Sequence, residues 1–180
     1  MLHGALLRTV ALLIASWLVA CSEPQPPQLK VALGQSFPKL ELHDLQGRPY
    51  TLDAATGKLL VLNFWATWCA PCRQEMPSLD RLSGLVDPDK VLVMGVSVDN
   101  DDHLVREFLI ERHIFFHNLL DLDMRQSAKH VGIRAFPSTF FISPQGRLLK
   151  VAEGAREWDT PEFLKEINSM WSAAAAPAKK

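Results

Sequence analysis

The chain has 180 residues, 48% of them hydrophobic and 22% charged, with 12 Pro, 9 Gly and 3 Cys. That composition fits one globular domain with a substantial core and excludes a disordered or collagen-like chain; three cysteines are too few for a disulfide-stapled miniprotein. With 19 basic residues against 20 acidic ones the formal charge is −1, and no basic run suggests a nucleic-acid groove.

Residues 1–20 read as a leader rather than as part of the fold. Arg8 precedes the apolar run Val10–Val19, and small residues follow, which is the shape of a secretory signal peptide. The run is too short to span a bilayer core, which needs about 20 residues as helix. Leu18-Val19-Ala20-Cys21 resembles the lipobox of bacterial lipoproteins, in which cleavage before the cysteine leaves a thiol that carries diacylglycerol. The alternative, ordinary cleavage near Ala20, would leave an unpaired thiol exposed in an oxidising compartment, which is a liability. On the lipoprotein reading, lipid on Cys21 holds the protein on a membrane without spanning it. Residues 21–29 are then a Pro-rich tether, and Ser22 points, by the sorting rule of enteric bacteria, to the outer membrane. The folded domain is expected over residues 30–171, and residues 172–180, rich in Ala and Lys, as a disordered tail.

Within the domain, Phe37–His43 and Arg48–Leu52 flank the turn signal Asp44-Leu45-Gln46-Gly47 and read as a hairpin. Lys58–Trp65 is a near-continuous apolar run, as expected of a strand buried on both faces. Ala70–Leu85 has helical spacing, with Met76, Leu79, Leu82 and Leu85 as its apolar series and Pro77 as an expected kink. Val91–Val98 is a second buried strand, and Asp101 or Asp102 can cap an amphipathic helix over Leu104–His113. A short segment at Phe116–Leu119, a small helix near Met124–His130 and strands at Thr139–Ile142 and Leu148–Glu153 follow. Thr160 then caps a last helix with Pro161 at its first position. Strands that alternate with helices and finish as a hairpin plus helix imply an α/β domain with a central mixed β-sheet flanked by helices. Asp99, Asn100, Asp101 and Asp102 do not follow the calcium-loop pattern and read as capping plus a solvated loop.

The chemistry is concentrated in Trp68-Cys69-Ala70-Pro71-Cys72, a C-x-x-C placed after a buried strand and at the start of a helix. Cys69 there meets unpaired backbone N–H groups and the positive end of the helix dipole, which favour its thiolate. Pro71 suits the first turn, where a missing N–H costs nothing, and i,i+3 spacing brings the two sulfurs within bonding reach. Half of a zinc site is the competing reading. Zinc takes four ligands, the domain offers no further cysteine, and its histidines form no short helical pair. A purely structural bridge is disfavoured because so short a loop constrains little of the unfolded chain. Trp65, ending a buried strand, reads as core; Trp68 reads as a partly exposed apolar platform for a partner polypeptide.

The stretch Asn63-Phe64-Trp65-Ala66-Thr67-Trp68-Cys69-Ala70-Pro71-Cys72-Arg73-Gln74-Glu75-Met76-Pro77 resembles the active-site region of the thioredoxin superfamily. More narrowly, it is similar to the TlpA/ResA/CcmG group of membrane-tethered, periplasm-facing thiol-disulfide oxidoreductases. The resemblance spans roughly Leu33 to Trp171 and implies a thioredoxin-like fold with an added N-terminal β-hairpin and an inserted αβ segment around Leu104–Leu120. It implies a cis peptide bond before Pro137, opposite the cysteines, with Phe136 and Pro137 meeting the bound substrate chain. Where thioredoxin has a buried aspartate this chain has Asn63. Glu75 instead matches the glutamate that this group places near its cysteines, which implies that it exchanges a proton with Cys72.

The function expected is thiol–disulfide exchange on periplasmic protein substrates, in the direction of reduction, with cytochrome c maturation as one setting. Cys69 would attack the substrate disulfide and Cys72 resolve the mixed disulfide, without a cofactor or metal. A DsbD/CcdA-type membrane donor would re-reduce the pair. Two rivals are a thiol peroxidase, whose Pro/Thr pattern ahead of the reactive cysteine is missing, and a Sco-like copper-binding module, which spaces its cysteines by three residues rather than two.

Overall fold

The computed structural model describes residues 29–175. The proposed leader, Cys21, most of the tether and the end of the tail lie outside the described residues.

Seven strands form one mixed sheet: β1 (Leu40–Asp44), β2 (Pro49–Leu52), β3 (Leu59–Trp65), β4 (Val91–Ser97), β5 (His117–Leu120), β6 (Ser138–Ile142) and β7 (Leu148–Glu153), in the spatial order β2-β1-β5-β4-β3-β6-β7. β4 runs parallel to both β3 and β5; the β1–β2, β1–β5, β3–β6 and β6–β7 pairs are antiparallel. Among the described residues, three α-helices pack with the sheet: α1 (Ala70–Leu85), α2 (Asp102–Glu111) and α3 (Pro161–Ala175). All seven residues of β3 are buried. Side chains alternate between the two faces of a strand, so both faces of the sheet are covered at its centre. This is the α/β architecture expected from the sequence, including the N-terminal hairpin (β1–β2) and the inserted α2–β5 segment.

Boundaries differ where a local rule overrides the pattern. The first strand starts at Leu40 rather than Phe37 because Pro38 has no N–H to give to a ladder; the Phe37 ring is instead buried edge-on against Phe140. Leu85 is 57% exposed although Met76, Leu79 and Leu82 are buried. At about 100° per residue, nine residues beyond Met76 is the opposite side of the helix, so an every-third series drifts off its own face. Pro77 lies inside α1 without ending it. Asp101 caps α2, accepting the His103 N–H at 2.9 Å, and Thr160 Oγ1 caps α3 through the Phe163 N–H at 3.2 Å. In place of one small helix near residue 127, a 3-10 turn (Leu122–Met124) and a π turn (Ser127–Val131) are linked by Asp121, whose carboxylate takes the N–H groups of Gln126 and Ser127. α3 continues to Ala175, four residues past the expected domain end, along a run of alanines with high helix propensity.

Candidate active site

β3 delivers the chain to the site. Trp65 is fully buried, packs against Phe108 and donates its indole N–H to Asn118 Oδ1 at 2.9 Å, a core role as expected. The loop that follows is fixed by Asp99. This carboxylate accepts the Thr67 N–H at 3.0 Å and hydroxyl at 2.6 Å, and the Ser97 hydroxyl at 2.7 Å. Asp99 is 2% exposed, so it is not part of a solvated loop. Each aspartate of the acidic run has its own partner. Asp99 anchors the loop before the cysteines, Asp101 caps α2, and Asp102 pairs with Arg106 at 2.7 Å.

Cys69 is the N-cap of α1, with Pro71 in the first turn. Its sulfur accepts the Cys72 N–H at 3.2 Å, filling one of the donor positions that a helix start leaves open. Cys69 and Cys72 are joined as a disulfide with Cα atoms 5.3 Å apart. Cys69 is 7% exposed and Cys72 fully buried, so an attacking group from outside reaches the first sulfur before the second.

Beside the pair stands an aromatic rim. Trp68 is 61% exposed and meets the half-buried Phe136 edge-to-face, with ring centroids 5.7 Å apart. The Phe136–Pro137 bond is cis. The β3–β6 register sets Phe64 opposite Ser138, so the start of β6, with Pro137 just before it, lies at the end of β3 from which the cysteine loop departs.

Glu75, three residues past Cys72 on the same helix, is 1% exposed. Its Oε1 accepts the Asn63 amide N–H at 2.8 Å; its Oε2 accepts the Trp158 indole N–H at 2.9 Å and the Arg156 backbone N–H at 3.2 Å. Burial pushes the carboxyl above the ordinary value of 4.5, and those three donors together with the nearby Arg156 charge oppose it in part. Gln74, Glu75, Ala155, Arg156 and Glu157 line a cleft of about 200 Å³. Asn63 also donates to Thr139 Oγ1 at 2.9 Å. The loop between β7 and α3 closes over Glu75: the Gly154 N–H bonds the Pro137 carbonyl at 2.9 Å, the Trp158 N–H bonds Ser78 Oγ at 3.1 Å, and Arg81 holds Asp159 at 2.6 Å.

The cysteines, Glu75, Trp68, Phe136 and Pro137 were all readable in the sequence as site candidates; Cys21 lies outside the described residues. Trp158, Thr139 and Asp99 were missed. Trp158 is 83 residues from Glu75, and no spacing rule connects them. The buried polar β3 position Asn63, opposite Thr139 in the next strand, was the available hint.

The sequence matches the AhpC/TSA family over residues 33–151. It is 33% identical over 136 residues to the thiol-disulfide oxidoreductase ResA of Geobacillus thermodenitrificans, covering 76% of each chain, and 32% identical over 124 residues to ResA of Bacillus subtilis, covering 69% of each. Among solved structures, a thiol:disulfide interchange protein from Bacteroides sp. superposes with a TM-score of 0.65 at 20% identity, over 83% of this chain and 94% of that one, a likeness of fold. With a disulfide at the start of a helix and relatives of this kind, the chain belongs to the AhpC/TSA family and, within it, is a thiol-disulfide oxidoreductase of the ResA type.

Proposed function

We propose that the protein reduces disulfides in protein substrates on the periplasmic side of a bacterial membrane, tethered by lipid on Cys21. The observation that carries the reading is the arrangement around the sulfurs: Cys69 at the helix N-cap and within reach, Cys72 buried behind it, and Glu75 buried farther along the same helix.

In the reduced enzyme the helix N-terminus and the Cys72 N–H favour the Cys69 thiolate. That thiolate attacks one sulfur of the substrate disulfide; a mixed disulfide forms and the other substrate sulfur leaves as thiolate. Cys72 passes its proton to the Glu75 carboxylate and attacks Cys69, forming the enzyme disulfide and expelling the second substrate thiolate. Two electrons have then moved from enzyme to substrate. Trp68 and Phe136 offer an apolar surface for the substrate chain, and the backbone beside Pro137 orients it. A membrane donor of DsbD/CcdA type returns the electrons, and apocytochrome c is a substrate of suitable chemistry. Ser22 supports the outer membrane as the location.

The reduction potential tests the direction. The protein is equilibrated in graded thiol/disulfide buffers while the fluorescence of Trp68, adjacent to Cys69, is followed. A value near about −270 mV is expected of a reductase supplied by a dedicated donor; a value near about −120 mV would make the protein an oxidant and overturn the proposal.

A further inference from the structure

Glu75 is held by residues that none of the exchange steps uses directly. Asn63 commits both amide hydrogens, one to Glu75 Oε1 at 2.8 Å and one to Thr139 Oγ1 at 2.9 Å, while its own Oδ1 is buried without a hydrogen-bond partner. An orphaned buried carbonyl is costly, and a charge-assisted bond to a carboxylate is the kind that offsets it. Trp158 takes the other oxygen. Its ring is wedged against Phe163 and Phe141, at 4.9 and 6.0 Å between centroids, so the indole N–H has little freedom to point elsewhere.

We propose that Asn63 and Trp158 are positioning residues for Glu75, gripping its two oxygens separately and stabilising the ionised carboxylate that receives the Cys72 proton. The inference rests on the proton-transfer role given to Glu75 above. Trp158 can only donate, so it always favours the ionised form. Asn63 faces Glu75 with a donor as well. When Glu75 takes a proton on Oε1, that oxygen becomes a donor facing a donor, and turning the amide over would move both of its N–H groups to the buried position where Oδ1 has no partner. Asn63 therefore also favours the ionised form. An aspartate at residue 63 would instead set a second carboxylate within hydrogen-bond distance, and the two would share one proton.

Other groups facing Glu75 bear on its titration. They are the Arg156 N–H and guanidinium, and Glu157 across the small cleft, from the β7–α3 loop; Thr139, through Asn63, from β6; and Gln74, which lines the same cleft, from its own helix. Arg81, a turn and a half farther along α1, is engaged by Asp159 and Glu157.

The test is a carboxyl-carbon NMR titration of Glu75 in the oxidised full chain in detergent, with Glu75→Gln identifying the resonance. Asn63→Leu and Trp158→Phe, the second of which keeps the packed ring and removes only the donor, should each raise the Glu75 midpoint by about one pH unit, tenfold in ionisation constant. Asn63→Asp should replace the single step by two coupled ones. Midpoints within a few tenths of the parent value in both donor-deleting variants would overturn the assignment. If Asn63→Leu fails to fold, Trp158→Phe and Asn63→Asp decide. The pH profile of disulfide exchange separates the two claims. A shifted titration with a shifted profile supports both, and a shifted titration with an unmoved profile supports the positioning role while removing Glu75 from the exchange mechanism.

Discussion

Glu75 is pulled in two directions, and the balance has a thermodynamic signature. Its carboxyl is raised above 4.5, first by burial, against hydrogen bonds from Trp158, Asn63 and Arg156. The folded protein therefore binds this proton more tightly than the unfolded chain, and stability falls as pH rises from 4.5 through the folded-state value, then levels off. Unfolding the oxidised protein in denaturant at a series of pH values should show this decline, and Glu75→Gln should flatten it. Four ion-paired aspartates, Asp53 and Asp87 exposed and Asp102 and Asp159 half-buried, work in a separate window: lowered by bonds to Lys39, Lys90, Arg106 and Arg81, they contribute above 3.8 and lose that contribution below it. At this scale the sequence was legible for groups whose roles follow from position along one element. Cys69 at a helix start is of that kind; Glu75 was singled out by the resemblance more than by its place three residues beyond Cys72. The sequence was silent for Trp158 and Thr139, which reach Glu75 and Asn63 only because separate elements pack side by side.

The junction of β3, β4 and β5 shows how tightly the elements are fitted. Gly95 on β4 lies opposite Asn63 on β3 and Asn118 on β5. A Cβ at Gly95 would collide with Asn118 Oδ1 and come within 3.0 Å of Trp65 Nε1, the two atoms of a buried hydrogen bond. Gly95→Ala should destabilise the protein by about 2–4 kcal/mol, from overpacking plus a broken buried bond, measurable as a lower denaturation midpoint with an unchanged slope. Strands, helices and turns were largely readable because their patterns are local: a continuous apolar run for β3, a cap for α2, a proline at the head of α3. The misses have local causes as well. Pro38 delays β1, Asp121 divides the expected small helix into two turns, and Asp99 has the composition of a loop residue but points into the protein.

For the molecule as a whole, the proposed anchor and the redox site are separable. Among the described residues no helix is long and apolar enough to cross a membrane. On the lipoprotein reading, attachment is through lipid on Cys21. Cys21→Ala should move the protein from the detergent phase to the aqueous phase on partitioning, with its reduction potential unchanged; retention in the detergent phase would disprove the lipid anchor. The fold class was legible from the order of elements and from the resemblance around the cysteines. The sheet order and the closure of the β7–α3 loop over Glu75 were not, since they depend on pairings far apart in sequence. The antiparallel pairing of β3 with β6 also determines which changes of length the chain can absorb. It sets Asn63 against Thr139 and brings Pro137 to the cysteine end of β3. Adding or deleting one residue in either strand would turn every later side chain to the opposite face and shift Pro137 by about 3.3 Å along the ladder. Insertions are therefore best placed in the β1–β2 turn at 44–47 and the β6–β7 turn at 143–146, and β3 and β6 should be grafted together, as an indexed pair, when this site is transplanted to another scaffold.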